Sequence, residues 1–466
     1  MRWIRGTKIS YIVMVLWAVA IWCFFQFWYP YHFFYQEQNQ IFLWDWEYVS
    51  GYFHSIGGLA LLIGDFLTQF YYYLYAGTTI LTLCIVLAGL LIYKALTNLK
   101  ANRWAGLAMG ICVMGFLTVC HFSVSYRLSS TISIIGWLWL IWAVSAIRHR
   151  WLRWAFFLML LPTYLLFGTP KKVQLQAPDF VLEKDFAVSN EYYFGNYEKV
   201  LDIVKNSDGW TRQMLFFYNL VNAQRGLLPD CLFDFTPNYL GTFEKIGPET
   251  PRLTINIMNE LYWALGDMTF TERAAMMTNV FAPENRNVRM MKRLAECNMV
   301  SSDTLAAEKY LRILDKTFVY SKWSEFVREH SEDVYRGKMQ MVNHRDTITI
   351  SDNAHFLMMQ LLDQNPDNMV ALDYILCSDL MLKDMTNFKR DYDRYCTESP
   401  RLKPLYQEAL CVWLAGSEAS QEEWQQYIKM NDVMQRFIDY NNQRGNPRFK
   451  GTYWYYFDKI KAPEIN

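Results

Sequence analysis

The distribution of apolar and polar positions along the chain changes near Pro170. Before that residue, long apolar runs carry almost no charge, whereas after it charged residues occur every few positions. A membrane-spanning helix needs about 20 mostly apolar residues. The pattern predicts an all-α protein in which a transmembrane bundle, residues 1–170, precedes a soluble helical region, residues 178–466. The five predicted spans lie near residues 9–29, 76–96, 105–123, 130–147 and 154–168.

A further apolar segment, residues 57–75, is predicted to form an interfacial or re-entrant helix. It carries Asp65 and Gln69, and the next apolar run follows after too few residues for two spanning helices to reverse direction. The pair Gly57-Gly58 allows a turn at its start. The run Tyr71–Tyr73 would lie at the level of the lipid headgroups, where aromatic side chains are enriched.

The basic residues of the predicted bundle indicate its orientation. If residues 57–75 do not span, nine of the ten Lys and Arg residues before position 170 fall on the side of the N-terminus, and only Arg127 falls opposite. Loops rich in Lys and Arg remain in the cytoplasm. We therefore predict a bacterial inner-membrane protein with a cytoplasmic N-terminus, an uncleaved first span and a periplasmic region 178–466. The lipid bilayer is then one of its partners.

Residues 178–466 show helical periodicity, with apolar residues at spacings of three and four between short breaks. Helices that recur in pairs over this length predict an α-solenoid. Several stretches resemble tetratricopeptide repeats, in which a glycine forms the turn between two helices, although no 34-residue register is maintained. The alternative is an irregular all-helical domain. The stretches are Tyr192–Val200, Leu261–Ala274, Ala306–Leu311 and Leu361–Leu382.

Three other stretches resemble segments of an uncharacterised bacterial family. They are Arg289–Asn298, Lys309–Trp323 and Phe449–Phe457. Members of that family pair a multi-pass N-terminal region with a helical-repeat C-terminal domain, so the resemblance implies the same architecture over most of this chain. It implies no activity and assigns a role to no residue.

Charge and cysteine content argue against several functions. Of the 45 basic and 45 acidic residues, 35 and 41 lie after position 169, so that region is mildly acidic and has no basic stripe. Nucleic-acid binding depends on clustered Lys and Arg, and we therefore predict no nucleic-acid partner. The nine cysteines form no Cys-x-x-Cys pair, so the sequence predicts buried free thiols rather than a zinc or redox site.

Half of the residues between Trp22 and Phe53 are aromatic. The simplest interpretation of this first outer loop is an interfacial aromatic belt. The sharper one is recognition of a sugar or lipid headgroup, because acids and amides (Glu37, Gln38, Asn39, Gln40, Asp45 and Glu47) lie among the rings. Multi-spanning glycosyltransferases that use lipid-linked sugars also keep an acid after their first span. That resemblance makes Asp45 and Glu47 the candidate catalytic bases.

Sequence motifs of catalysis are otherwise missing. The chain has no P-loop, no Gly-x-Ser-x-Gly, no His-Glu-x-x-His and no dinucleotide fingerprint. We predict no cofactor and no bound metal, and enzymatic activity is not expected of the polar region. The leading hypothesis is a scaffold or assembly factor whose helical repeats bind another envelope protein or peptide. The alternative is an enzyme or accessory of envelope glycan or lipid assembly that acts from the first outer loop.

Overall fold

The computed structural model describes residues 2–55, 57–167, 175–241, 250–282, 286–342, 353–396 and 401–463. Within those ranges all regular secondary structure is helical, which confirms the all-α fold class. The N-terminal helices are α1 (Arg2–Phe27), α2 (Tyr31–Gln38), α3 (Trp46–Tyr52), α4 (Gly58–Thr68), α5 (Ala76–Asn98), α6 (Arg103–Cys120), α7 (Leu128–Ser145) and α8 (Arg150–Phe167), with a 3₁₀-helix, Gln69–Tyr72, between α4 and α5.

The polar region contributes sixteen further α-helices within the described ranges. They are α9 (Phe180–Tyr193), α10 (Tyr197–Lys205), α11 (Arg212–Gln224), α12 (Leu228–Cys231), α13 (Arg252–Leu265), α14 (Met268–Phe281), α15 (Val288–Val300), α16 (Thr304–Asp315), α17 (Ser321–Met341), α18 (Ala354–Gln364), α19 (Met369–Leu382), α20 (Met385–Cys396), α21 (Pro404–Gly416), α22 (Gln421–Tyr427), α23 (Asn431–Asn442) and α24 (Tyr453–Lys459). A second 3₁₀-helix, Pro447–Phe449, precedes α24.

The chain divides into two compact units, neither of which is continuous in sequence. Unit 1 comprises Met1–Phe186, Ala282–Lys292 and Lys309–Glu329, and unit 2 comprises Ala187–Phe281, Arg293–Glu308 and His330–Asn466. Unit 1 therefore contains the predicted transmembrane region and the start of the polar region as far as Phe186. It also contains two later pieces of the polar region, Ala282–Lys292 and Lys309–Glu329, which we call the returning segments. The boundary between the two units after Glu329 coincides with a kink in α17, where His330 leaves the helical conformation (φ −123°, ψ 17°).

Among the residues that the structure describes, four helices of unit 1 are long and apolar enough to cross a membrane. They are Lys8–Phe27, Ala76–Asn98, Arg103–Cys120 and Leu128–Ser145, and they coincide with the first four predicted spans. The fifth predicted span, 154–168, falls on α8. Side chains of that helix are described only as far as residue 160, and residue 168 lies outside the described ranges.

Helix α5 is the centre of the unit 1 bundle, since it packs against α1, α6 and α7. Its side chains Leu81 and Ile85 are fully buried. Close approach of α5 to α6 depends on two glycines: a Cβ atom on Gly110 would lie 3.0 Å from the carbonyl oxygen of Gly89. Small residues permit such backbone contact between apolar helices.

Hydrogen bonds identify which connections share an end of the bundle. The Tyr29 hydroxyl donates to the Phe122 carbonyl at 3.1 Å, so the connection after α1 lies beside the one between α6 and α7. Gln176 Nε2 donates to the same carbonyl at 3.2 Å. At the opposite end, Asn98 Nδ2 donates to Ser145 Oγ at 3.0 Å, which joins the C-terminal ends of α5 and α7.

The segment predicted to be interfacial or re-entrant, residues 57–75, contains an α-helix of only 11 residues, α4, followed by the first 3₁₀-helix. Helix α4 packs against α7. The contact is close, because a Cβ atom on Gly64 would lie 2.5 Å from the Cα atom of Ser129, in the first turn of α7. At about 1.5 Å per residue, α4 is about 16 Å long, which is shorter than the hydrocarbon core of a bilayer.

In unit 2, consecutive helices pack as pairs: α10 with α11, α13 with α14, α18 with α19, and α19 with α20. Gly195 and Gly266 lie at turns that the sequence predicts, with φ values of 76° and 81°. Glycine adopts this left-handed conformation without the steric cost of a Cβ atom.

The C-terminal end of α13 is capped by side chains that are distant in sequence. Asn368 Nδ2 donates to the Leu265 carbonyl at 2.8 Å, while Asn368 Oδ1 accepts the Ala371 amide at 3.1 Å and so also caps α19. Lys338 Nζ donates to the carbonyl of Trp263 at 2.6 Å. These contacts satisfy carbonyl groups that have no partner inside the helix.

Candidate functional site

The first loop, Trp28–Ser55, is held at its start by a carboxylate from the polar region. Helix α2 follows Pro30, whose side chain offers no hydrogen bond to cap it. Glu183, on α9, accepts the backbone amides of Tyr31 and, at 3.2 Å, His32. A carboxylate at a helix N-terminus satisfies unpaired amides and interacts favourably with the helix dipole. Burial raises the pKa of Glu183 to about 8, although these two hydrogen bonds lower it.

The second returning segment contacts the middle of the first loop. The Tyr320 hydroxyl donates to the Glu37 carboxyl, at 3.1 Å from Oε1 and 3.3 Å from Oε2. The Trp44 amide donates to the Lys316 carbonyl at 2.6 Å. Asp45 and Lys316 also form an ion pair, with 3.4 Å between Oδ1 and Nζ. The first loop is therefore joined to this segment by both main-chain and side-chain contacts.

The first returning segment aligns with three successive polar residues of the loop. Arg289 Nη1 donates to Gln38 Oε1 at 3.0 Å, and Asn287 Nδ2 donates to Asn39 Oδ1 at 3.1 Å. The amide of residue 288 donates to the carbonyl of residue 40 at 3.2 Å. The amides that the sequence offered as sugar ligands thus bind the protein's own chain.

Arg286 extends these contacts toward α4. Its Nη1 donates to the hydroxyls of Tyr48 and Tyr52, at 2.8 Å and 3.2 Å, and its guanidinium lies 4.6 Å from the centre of the Tyr48 ring. The Tyr52 hydroxyl in turn donates to Asp65 Oδ2 at 2.8 Å. Asp65, noted in the sequence as unusual for an apolar segment, is a buried acceptor in this network.

A small pocket with a cavity volume of about 10 Å³ lies beside Glu37. Its polar lining comes from Glu37, Gln40, Gln69 and Thr317, and Gln69 Oε1 is buried without a hydrogen-bond partner among the described residues. Burial raises the pKa of Glu37 to about 8, although the Tyr320 hydroxyl and the charge of Lys292 lower it. A cavity of this volume has room for about one water molecule, so the space suits water rather than a sugar on a lipid carrier.

The two acids that the sequence proposes as bases lie apart from this pocket's lining. Asp45 is half-buried beside Lys316, and Glu47 is exposed in the first turn of α3. Sequence reasoning named Glu37 only among the polar residues of the loop and did not single out Glu183. The available signal for Glu37 was that it is the one acid among the aromatic residues of positions 22–44.

In unit 2, three side chains offer possible metal ligands within 4.8 Å of one another: His355, Asp379 and Asp391. His355 Nδ1 lies 3.2 Å from Asp379 and its Nε2 lies 2.8 Å from Asp391, so the ring bridges two carboxylates. Arg390 also lies 2.8 Å from Asp391. Hydrogen bonds that the ring donates to the two carboxylates raise the pKa of His355 to about 9. The cations of His355 and Arg390 then balance the carboxylates of Asp379 and Asp391. This balance of charge favours a network of ion pairs over a metal site.

A second charged cluster of unit 2 surrounds Arg293. This buried guanidinium lies 2.7 Å from Glu260 and 3.0 Å from Glu296, and 4.3 Å from the centre of the Trp263 ring. The neighbouring Lys338 is half-buried, and desolvation lowers its pKa to about 7. Since its ammonium nitrogen already donates to main-chain carbonyls, we interpret the cluster as structural.

Comparison with known proteins identifies the family. The sequence model of a family of unknown function, DUF6057, matches residues 6–172 and 169–460, so the chain belongs to that family. The two matches meet at the change of composition near Pro170. No curated protein and no solved structure matches the chain.

Proposed function

We propose that this DUF6057 family member is a multi-pass protein of the bacterial inner membrane that presents a helical-repeat domain outside the cytoplasm as a scaffold or assembly factor. The observation that carries the proposal is the binding of both returning segments to the first loop, through Tyr320 with Glu37 and Arg289 with Gln38. Within unit 1, these contacts join the two returning segments to one end of the apolar bundle.

Five membrane crossings are the topology that these contacts favour. Helix α7 begins at the end of the bundle where the first loop lies, and it ends beside Asn98 at the other. Gln176 and Asp179 again lie at the end of the bundle where the first loop lies. Gln176 bonds to Phe122, and the Asp179 amide lies 3.4 Å from the Tyr29 hydroxyl. Helix α8 has 18 residues, about 27 Å, and is the element available for this return.

The charge distribution supports a cytoplasmic N-terminus. With five crossings, Lys94, Lys100 and Arg103 lie at the end of the bundle where α1 begins, as do Arg148 and Arg150. Positive charge near short loops favours their retention in the cytoplasm. The first loop and the returning segments then lie outside, which in a Gram-negative cell is the periplasm.

Cysteine labelling of the full chain tests this topology. Ser125→Cys and Glu418→Cys are expected to react with a membrane-impermeant maleimide in intact spheroplasts, whereas Ala101→Cys is expected to react only after permeabilisation. All three positions are exposed. Labelling of Ala101→Cys in sealed spheroplasts, or protection of Glu418→Cys, would overturn the proposed orientation.

Docking of another envelope protein or peptide is the role that we propose for unit 2. Paired helices with turns at Gly195 and Gly266 support a tetratricopeptide-like interpretation, and stacked helix pairs create extended binding surfaces. The buried network of Arg293, Glu260 and Glu296 adds internal links that favour a fixed rather than adaptable surface.

Photocrosslinking in cells tests the docking role. A photoreactive residue at the exposed positions Leu305, Phe356 or Leu402 of unit 2 is expected to give one discrete protein adduct, and the same residue at Leu158 of α8 is the control that should not. The absence of a discrete adduct at every unit 2 position would count against a scaffold.

The alternative proposal remains an enzyme or accessory of envelope glycan or lipid assembly that acts from the first loop. Its candidate bases are Asp45 and Glu47, and the ion pair of Asp45 with Lys316 gives that carboxylate a structural role instead. Replacement of both acids by Ala should leave the envelope glycan and lipid profile unchanged. A changed profile with normal amounts of protein in the membrane would favour the enzyme.

A further inference from the structure

A fixed turn in the second returning segment presents an exposed aromatic ring. The turn joins α16 to α17, and Thr317 holds it: the Thr317 hydroxyl donates to the Leu314 carbonyl at 2.7 Å and accepts the Tyr320 amide at 3.0 Å. Phe318, at the tip of this turn, is 46% exposed. Because the backbone on both sides is hydrogen-bonded, the ring is exposed by the geometry of the turn itself.

Phe318 belongs to a surface that is built from three separate parts of unit 1. Its ring centre lies 5.3 Å from that of Trp44 in the first loop, 5.9 Å from that of Phe66 in α4 and 6.4 Å from that of Phe70 in the 3₁₀-helix. Trp44 is 64% exposed. We call these four rings the aromatic patch. Phe66 and Phe70 are half-buried, and the exposed rings of Phe318 and Trp44 form apolar surface of the kind that marks contact with another molecule or with a membrane.

The aromatic patch lies close to the ends of two candidate spans. Phe70 precedes the first residue of α5, Ala76, by only six positions. Helix α4, which carries Phe66, packs through Gly64 onto the first turn of α7. Rings at the ends of spanning helices occupy the interface between hydrocarbon and water, where Trp and other amphipathic aromatic side chains are favoured.

We propose that the aromatic patch inserts into the outer-leaflet interface of the bilayer and that Phe318 is a lipid anchor of the polar region. This inference rests on the proposed membrane topology and goes beyond it, because it assigns lipid contact to a residue about 150 positions after the last predicted span. Lys316, which is half-exposed and paired with Asp45, lies two residues away.

A photoreactive phenylalanine analogue tests the inference in the full chain. The protein is reconstituted into vesicles of phosphatidylethanolamine and phosphatidylglycerol with the analogue at Phe318, at Trp28 or at Phe326, and adducts are identified by mass spectrometry. Trp28 follows α1 and serves as the position at the membrane surface. Phe326, on α17, is 52% exposed and serves as the matched position outside the aromatic patch.

We expect phospholipid adducts at Phe318 and Trp28, with at least a fivefold lower yield at Phe326. Adducts at Trp28 without any at Phe318 would overturn the anchor while leaving the membrane topology intact. Equal yields at Phe318 and Phe326, or a protein adduct in place of lipid at Phe318, would overturn it as well. If Trp28 also gives no lipid adduct, the topology on which the inference rests fails first.

Discussion

The Tyr320 hydroxyl donates to the Glu37 carboxyl across 283 residues of sequence, with 3.1 Å to the nearer oxygen. Both residues are buried, with 4% and 2% of their surfaces exposed. Glu37 is the last residue but one of α2, and Tyr320 lies just before α17. This single hydrogen bond therefore joins the first loop to a returning segment through two buried side chains.

Replacement Tyr320→Phe should destabilise the protein, because it removes the donor to a buried carboxyl and leaves the ring in place. An unsatisfied buried polar group costs about 1–3 kcal/mol. The expected result is a lower thermal unfolding midpoint of the full chain in detergent. Tyr73→Phe, at an exposed ring in unit 1, is the control and should change little. Equal midpoints for the two variants would show that the Glu37 contact contributes no stability.

Stability of the protein should also fall as the pH rises, because of Glu37. Its pKa is raised from an ordinary value of 4.5 to about 8, so the folded protein binds the proton more tightly than the unfolded chain does. The stabilisation is complete below about pH 4.5 and is lost as the pH rises through 8. Lys292 and Tyr320 are the groups that oppose the shift.

The measurement is the unfolding midpoint of the full chain at pH 6 and at pH 8. The native protein should unfold at lower temperature at pH 8, and Glu37→Gln, which cannot ionise, should reduce the difference. Glu183, with a pKa also raised to about 8, contributes in the same direction, so Glu183→Gln should reduce the difference independently. If the difference in unfolding midpoint between pH 6 and pH 8 is unchanged in both variants, Glu37 and Glu183 are not the source of the pH dependence.

The helices and the change from apolar to polar composition near Pro170 were predictable, because helical periodicity and long apolar runs are local properties of sequence. The binding of residues 38–40 to residues 287–289 was not, because contacts between distant segments leave no local pattern. A ligand site was the alternative to an interfacial belt for the polar residues among the rings of the first loop, whereas Gln38 and Asn39 bind Arg289 and Asn287. The capping of α2 by Glu183 could not be predicted from the sequence either, because Pro30 shows only that a local cap is missing.

His355 predicts a second pH effect, which belongs to unit 2. Its pKa is raised to about 9 by the carboxylates of Asp379, on α19, and Asp391, on α20. Arg390 faces Asp391 as well, and Asp384 raises the pKa of Asp379 slightly from further away. The stabilisation is therefore complete below about pH 6.5 and is lost as the pH rises through 9.

Replacement His355→Gln removes this cation from two buried carboxylates. Loss of one partner of a buried ion pair costs on the order of 3 kcal/mol, so the unfolding midpoint should fall at pH 6 and change less at pH 9.5. A chelator should leave the midpoint of the native protein unchanged. A stoichiometric metal that is lost in Asp391→Asn would contradict the ion-network interpretation.

Replacement Gly64→Ala should separate α4 from α7. The added Cβ atom would lie 2.5 Å from the Cα atom of Ser129 and 2.6 Å from its amide nitrogen, so backbone would meet backbone and no flexible side chain could move aside. Overpacking of this kind costs about 1–3 kcal/mol. Gly115→Ala is the matched control, because Gly115 is also helical and has no atom within 4 Å of an added Cβ. Phe66 lies two residues after Gly64, so displacement of α4 should also lower the yield of lipid adducts at Phe318. An unchanged yield would show that the position of the aromatic patch does not depend on the packing of α4 on α7.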